Sequence, residues 1–217
     1  SRRTTRNPTT HMIPAHLLSK LNQITNLHGW CSIEKATAMA ELVLETNPKL
    51  CVELGVYGGR SLIATGFALQ EANADGVVWG IDPYTINAAL EGNIGDANVE
   101  WWRKLDIHEI CRHALSSITA FGLWNHIRLI IAKSEQSHTL FPSIDILHID
   151  SNHSEEKSTQ DVRLWAPLVK PGGYIWFDDA DWTTTQNALG VLQEYYADRV
   201  KDVVSHDSGV CRLYRKR

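Results

Sequence analysis

Five short apolar runs punctuate the chain: "KLCVELG", "GVVWGIDP", "HIRLIIAKS", "IDILHID" and "GYIWFDD". Between them lie longer stretches whose apolar residues recur at helical spacing, such as "SLIATGFALQEANA" and "EEKSTQDVRLWAPLV". A strand buried on both faces reads as a continuous apolar run, and helices alternating with such strands cover both faces of a mostly parallel sheet. The expected class is therefore α/β, a Rossmann-like doubly wound sheet of seven strands. The tail "VKDVVSHDSGVCRLYRK" turns at Asp207-Ser208-Gly209 and adds a C-terminal antiparallel hairpin. Residues 1–12, polar and rich in Arg and Thr, read as a flexible arm, and 13–47 as an N-terminal helical segment closed by Asn47-Pro48. Residues 48–217 form the main domain, with 84–100 expected as a polar loop.

The 217 residues suffice for one large core. A net charge of −4 gives no electrostatic reason for nucleic-acid binding, and the basic runs "SRRTTR" and "RLYRKR" read as solvated ends. Four cysteines, Cys31, Cys51, Cys111 and Cys211, are scattered without zinc spacing or a disulfide framework, and Cys51 reads as a reduced core thiol. No apolar run approaches the roughly 20 residues that span a bilayer. A cytoplasmic protein without membrane partners is the expectation. The start at Ser1 suits a processed product or a domain of a longer chain, and a homo-oligomer stays open.

In doubly wound sheets ligands sit at the carboxyl ends of the strands. The first such end is "VELGVYGGRSL". The dinucleotide fingerprint needs glycine at its first, third and sixth positions. Counting from Gly55, those places hold Tyr57 and Arg60, so the fingerprint fails. Glu53 before the turn and Gly59 within it remain. Asp82 closes the second strand, where an acid can accept both hydroxyls of a ribose. Together these features suggest a nucleoside-bearing ligand without a pyrophosphate; a plain glycine turn and an ordinary Asp-Pro turn are the alternatives.

Asp150 and Asp178–Asp179 end the fourth and fifth strands. If those strands are neighbours, three carboxylates converge and at least one stays protonated without a partner. A hard divalent cation, Mg²⁺ or else Mn²⁺ or Ca²⁺, would resolve the repulsion. Alternatively, Asp150 and Ser154 cap the helix starting near Glu155, and Asp178–Asp181 form a turn.

These segments, with "KS" at Lys133-Ser134 and "HIDSNHSEEKSTQDVRLWAPLVKPGGYIWFDD", resemble class I S-adenosylmethionine-dependent methyltransferases. The resemblance covers roughly residues 48–182 and is nearest to the macrocin-type O-methyltransferase group, which modifies sugars on glycosides. It implies S-adenosylmethionine as cofactor. Glu53, Gly55, Tyr57, Gly59 and Ser61 would line its methionine part, Asp82 its ribose, and Ser134 its adenosine. The family often has an acid where this chain has Lys133. The resemblance also implies a metal on Asp150, Asp178 and Asp179. His153, three residues beyond Asp150, is the candidate base, with Asp150 its rival.

A cation that chelates neighbouring oxygens favours a vicinal diol, on a sugar or glycoside or on a catechol. Trp101, Trp102 and Trp182 are candidate walls for such an acceptor, or else packing residues. Asp181 is a candidate for the metal or the acceptor. Three rival readings remain: a glycosyltransferase using Asp179-Ala-Asp181, an NAD-dependent oxidoreductase, and a non-catalytic partner-binding domain.

Overall fold

Ser32 and Asn47 mark the ends of one helix as the sequence requires. The Ser32 side chain accepts from the backbone N–H of Lys35, and Asn47 closes the helix in the left-handed conformation (φ 46°). This is α2 (Ile33–Thr46), preceded by α1 (Ala15–Asn22). The computed structural model describes residues 13–72 and 75–217, so the arm expected at 1–12 lies outside the described residues. No helix among these residues is long and apolar enough to cross a membrane.

From β1 (Leu50–Leu54) the chain alternates as expected: α3 (Arg60–Glu71), β2 (Val77–Ile81), α4 (Ile86–Ala89), α5 (Asp96–Arg103), α6 (Ile107–Ala120) and β3 (Ile127–Ile130). Next come α7 (Ser134–Ser137), β4 (Ile144–Ile149), α8 (Glu155–Trp165), β5 (Val169–Phe177) and α9 (Gln186–Tyr195). β6 (Ala197–Ser205) and β7 (Gly209–Lys216) complete the chain. The stretch expected as a loop at 84–100 carries α4 and the start of α5. The helix read from Trp101 onward breaks at Leu105, where Asp106 caps α6 by accepting from the Glu109 N–H.

One seven-stranded sheet runs in the order β3-β2-β1-β4-β5-β7-β6. Strands β1 to β5 pair in parallel, and β7 lies antiparallel to both β5 and β6. The doubly wound fold with its terminal hairpin is therefore present. One face packs on α1, α2, α3 and α6 through Leu17, Met39, Ile63, Phe67 and Ile118. The other packs on α8 and α9 through Val162, Trp165, Leu189 and Leu192. The strand order reverses between β1 and β4, which opens a crevice at their carboxyl ends.

Candidate active site

A cavity of about 580 Å³ occupies this crevice. Its floor is made by Gly55, Ile81, Asp82, Asp150 and Asp178 at the ends of four strands. Gly55 has φ 83°, and a Cβ there would lie 2.1 Å from the carbonyl oxygen of Asp150. Only glycine allows β1 and β4 to end this close together.

Around the glycine turn, Asp82 Oδ2 accepts from the N–H groups of Val56 and Tyr57, both at 2.9 Å, and Oδ1 accepts from Tyr84 N–H at 2.7 Å. Asp82 thus shapes the turn as well as facing the cavity. Its burial raises the carboxyl pKa, and these three backbone donors oppose the rise. Tyr57 (φ 49°), Tyr84 (φ 47°) and Asp179 (φ 48°) all adopt the left-handed backbone that bulky residues avoid. All three sit on loops beyond strand ends, where strain collects at working sites.

Of the residues expected to line the cofactor, Gly55, Tyr57, Asp82 and Ser134 face the cavity. Glu53, Gly59 and Ser61 are not among its walls. Glu53 is buried behind the turn, accepting from Ser61 Oγ at 2.9 Å and pairing with His148 Nδ1 at 3.1 Å. Its carboxylate holds the α3 start against β4. The N-terminus of α3 carries no side-chain cap, which leaves backbone N–H groups for an anion. Ser134 Oγ donates to Asp161 Oδ1 at 2.5 Å, and Ser151 Oγ donates to the other oxygen of the same carboxylate. Asp161 thereby ties the segment after β3 to the loop after β4. Burial pushes its pKa up to about 6, against the two serine hydroxyls.

At the other end of the cavity, His153 Nε2 stands 3.1 Å from Asp179 Oδ2 and 3.6 Å from Asp150 Oδ1. Ligand atoms of Asp150, His153 and Asp179 lie within 4.8 Å of one another, a spacing one cation could bridge. Burial, followed by the charges of Asp178 and Asp179, raises the Asp150 pKa well above the carboxylate range. Asp179 is pushed up to about 7 by burial and by Asp178. Burial lowers His153 to about 4 although Asp178 opposes this, so its imidazole is neutral at neutral pH. The two carboxylates suit a hard divalent ion, and the neutral imidazole beside them keeps a nitrogen lone pair for a proton.

The third expected ligand is placed differently. Asp178 Oδ1 lies 2.5 Å from Lys35 Nζ, and the side chains of this pair are 8% and 2% exposed. Lys35 also donates to the carbonyl of Ser208 at the hairpin tip. Burial alone would lower the Lys35 pKa, but the Asp178 charge and hydrogen bond raise it above its ordinary value. Asp181 is also displaced from its expected role. It is exposed, accepts from the backbone N–H of Val210 at 3.3 Å and is absent from the cavity wall. Asp179 and Asp181 approach each other over Gly209, but only Asp179 lines the cavity, so the pair that the glycosyltransferase reading needs does not face it together.

Aromatic rings flank the cavity. The Trp182 ring lies 5.2 Å from that of His153. Trp30 stacks on Tyr57 at 5.4 Å and 25°, and Trp101 lies 5.0 Å from Trp30 and from Trp102. These five aromatic side chains and His153 line the same space.

A family described as a methyltransferase domain matches residues 52–180, well over half of the chain. The chain belongs to this methyltransferase family. A relative in Acanthamoeba polyphaga mimivirus, the uncharacterized protein R132, is 29% identical over 148 residues, 68% of this chain. This chain spans 59% of the length of that relative. Solved structures of similar fold include the O-methyltransferase TomG of Streptomyces achromogenes, determined with S-adenosylmethionine. It has a TM-score of 0.62 and 13% identity over 94% of this chain and 90% of that one. An O-methyltransferase from Bacillus cereus, determined with S-adenosylhomocysteine, has a TM-score of 0.61 and 16% identity over 95% and 94% of the two chains.

In this family member the cavity also includes Trp30, Cys31, Lys35, Asn152 and the hairpin tip Asp207–Gly209, none of which the sequence alone marks as a site residue. Asn152 Nδ2 donates to the carbonyls of Ala88, Ala89 and Glu91, at 2.9–3.2 Å, and so pins the α4 segment over the site. One signal for Lys35 was present. It lies four residues before Met39 and eight before Val43, on the apolar stripe of α2, where a charge needs a buried partner.

Proposed function

We propose that this protein is an S-adenosylmethionine-dependent O-methyltransferase that also uses a divalent cation, and that its acceptor is a ring hydroxyl of a sugar or glycoside. The observation that carries this reading is the Asp150–His153–Asp179 cluster at one end of the cavity whose floor holds the glycine turn and Asp82. Asp82 and the turn suit a ribose and an amino-acid chain, with Ser134 on the adenosine side. Asp150 and Asp179 would hold the cation, Mg²⁺ by preference.

When bound, S-adenosylmethionine supplies an activated methyl group and the cation lowers the pKa of a nearby hydroxyl. The protein's own residues align the acceptor and remove its proton. His153 Nε2, neutral and facing the cluster, is placed to take that proton, and the adjacent Trp182 face orients the ring that carries the hydroxyl. The cavity volume suits a small-molecule acceptor. The family match to a methyltransferase domain and the S-adenosyl ligands of the two similar structures support the cofactor.

Thermal melting tests the reading. S-adenosylhomocysteine should raise the melting temperature, and Mg²⁺ should add to that rise, whereas NAD and UDP-sugars should do neither. No stabilisation by millimolar S-adenosylhomocysteine would sink it. Methyl transfer over a panel of glycosides and catechols, with and without chelator, then separates the two diol classes.

A further inference from the structure

The end of the cavity that carries the proposed cation contains three aspartates and one lysine. Lys35 comes from α2, 143 residues before its partner Asp178. Its ammonium is held by a carboxylate and by the Ser208 carbonyl, with 2% of the side chain exposed. A lysine this buried is retained against a large desolvation cost. A structural ion pair could sit anywhere in the core, yet this one lines the reaction cavity beside Asp150 and Asp179. Asp178 also accepts from the N–H of Asp179, which holds that residue in its left-handed conformation.

We propose that Lys35 is a positioning residue that acts as a resident counter-cation, taking Asp178 out of the metal-binding set so that Asp150 and Asp179 hold the divalent ion and His153 Nε2 stays free beside them. Three carboxylates against one ammonium leave two negative charges, which matches one divalent cation. The consequence is a site of limited affinity whose ligands stay turned toward the cavity. The His148–Asp178–Cys211 grouping, whose ligand atoms also lie within 4.8 Å, is excluded as a second site for the same reason. The Lys35 ammonium stands where it would repel an ion there. This inference rests on the metal reading above, and its test separates the two.

Mn²⁺ is titrated into the protein saturated with S-adenosylhomocysteine, and binding is read from water-proton relaxation. The charge-neutral double variant Lys35→Met/Asp178→Asn should bind Mn²⁺ within about threefold of the wild type, because the ligands and the net charge are kept. Asp179→Asn should abolish binding. Lys35→Met alone should tighten binding about tenfold or more, since a nearby positive charge is removed and a carboxylate freed. Loss of Mn²⁺ from the double variant as complete as from Asp179→Asn would overturn the inference while leaving the metal reading intact. So would an unchanged affinity in a folded Lys35→Met. If Lys35→Met does not fold, the double variant decides. If neither the wild type nor Lys35→Met binds Mn²⁺ while both bind S-adenosylhomocysteine, the metal reading and this inference fall together.

Discussion

Asp161 is 3% exposed and, among the described residues, has no cationic partner at hydrogen-bond distance; its two oxygens accept from Ser134 and Ser151. A carboxyl whose pKa is raised on folding keeps its proton in the folded state after the unfolded chain has lost it. Folding stability therefore falls as pH rises from about 4 to about 6 and levels off above that. A rise from 3.8 to about 6 corresponds to roughly 3 kcal/mol at about 1.4 kcal/mol per unit. Asp161→Asn should flatten this part of the stability profile, because an amide has no proton to lose there. Urea denaturation at intervals between pH 4 and 7 checks it. An unaltered slope in the variant would show that Asp161 is already ionised throughout. The same substitution should weaken S-adenosylhomocysteine binding without lowering stability at pH 7, since the amide keeps one acceptor oxygen for the two hydroxyls of Ser134 and Ser151.

At the scale of elements, the site depends on β1 and β4 ending in contact. Gly55→Ala would drive a methyl group into the Asp150 carbonyl from a backbone at φ 83°. Gly122→Ala meets nothing within 4 Å at φ 66° and so measures the backbone strain alone, about 1–2 kcal/mol. Gly55→Ala should cost about 2 kcal/mol more than that control, since the strand ends must part. It should also abolish S-adenosylhomocysteine binding in calorimetry, which the control retains. Equal costs for the two variants would mean that the contact is not rigid. This contact also marks where reading the sequence succeeds. The apolar runs of β1 and β4, and the Gly55 and Asp150 that end them, were legible because each is a local signal of composition and turn chemistry. The pairing of Asp178 with Lys35 was not, because it joins β5 to a helix far back in the chain. Nor was the inward role of Asp207–Gly209, which follows from β7 inserting between β5 and β6. Asp181, placed in the site by its neighbour Asp179, turned out to serve that hairpin. Side-chain direction after a strained residue cannot be read from spacing.

For the whole molecule, the decisive relation is between the helical segment at 13–47 and the sheet. By sequence that segment stands apart from a domain beginning at residue 48. In the fold, Leu17, Leu21, Ile24, Met39, Leu42 and Val43 are all at most 5% exposed and share one core with Phe67, Leu69 and Val78. The segment also delivers Trp30 and Lys35 to the cavity, and Arg60 at the start of α3 donates to the carbonyls of Leu27 and Thr25 at 2.8 and 2.9 Å. Each of those six side chains contributes about 1.5–3 kcal/mol by its burial, roughly 9–18 kcal/mol together before ordering entropy is subtracted. That is as large as the whole net stability of a typical domain. A protein cut to residues 48–217 should therefore lack a cooperative thermal transition and bind no S-adenosylhomocysteine. Removal of residues 1–12 alone should leave both the transition and the binding unchanged. Should the 48–217 fragment melt cooperatively and bind the ligand, the helical segment would be an accessory to the site rather than a wall of the core. Scanning calorimetry of the two truncations, with and without S-adenosylhomocysteine, distinguishes these outcomes directly.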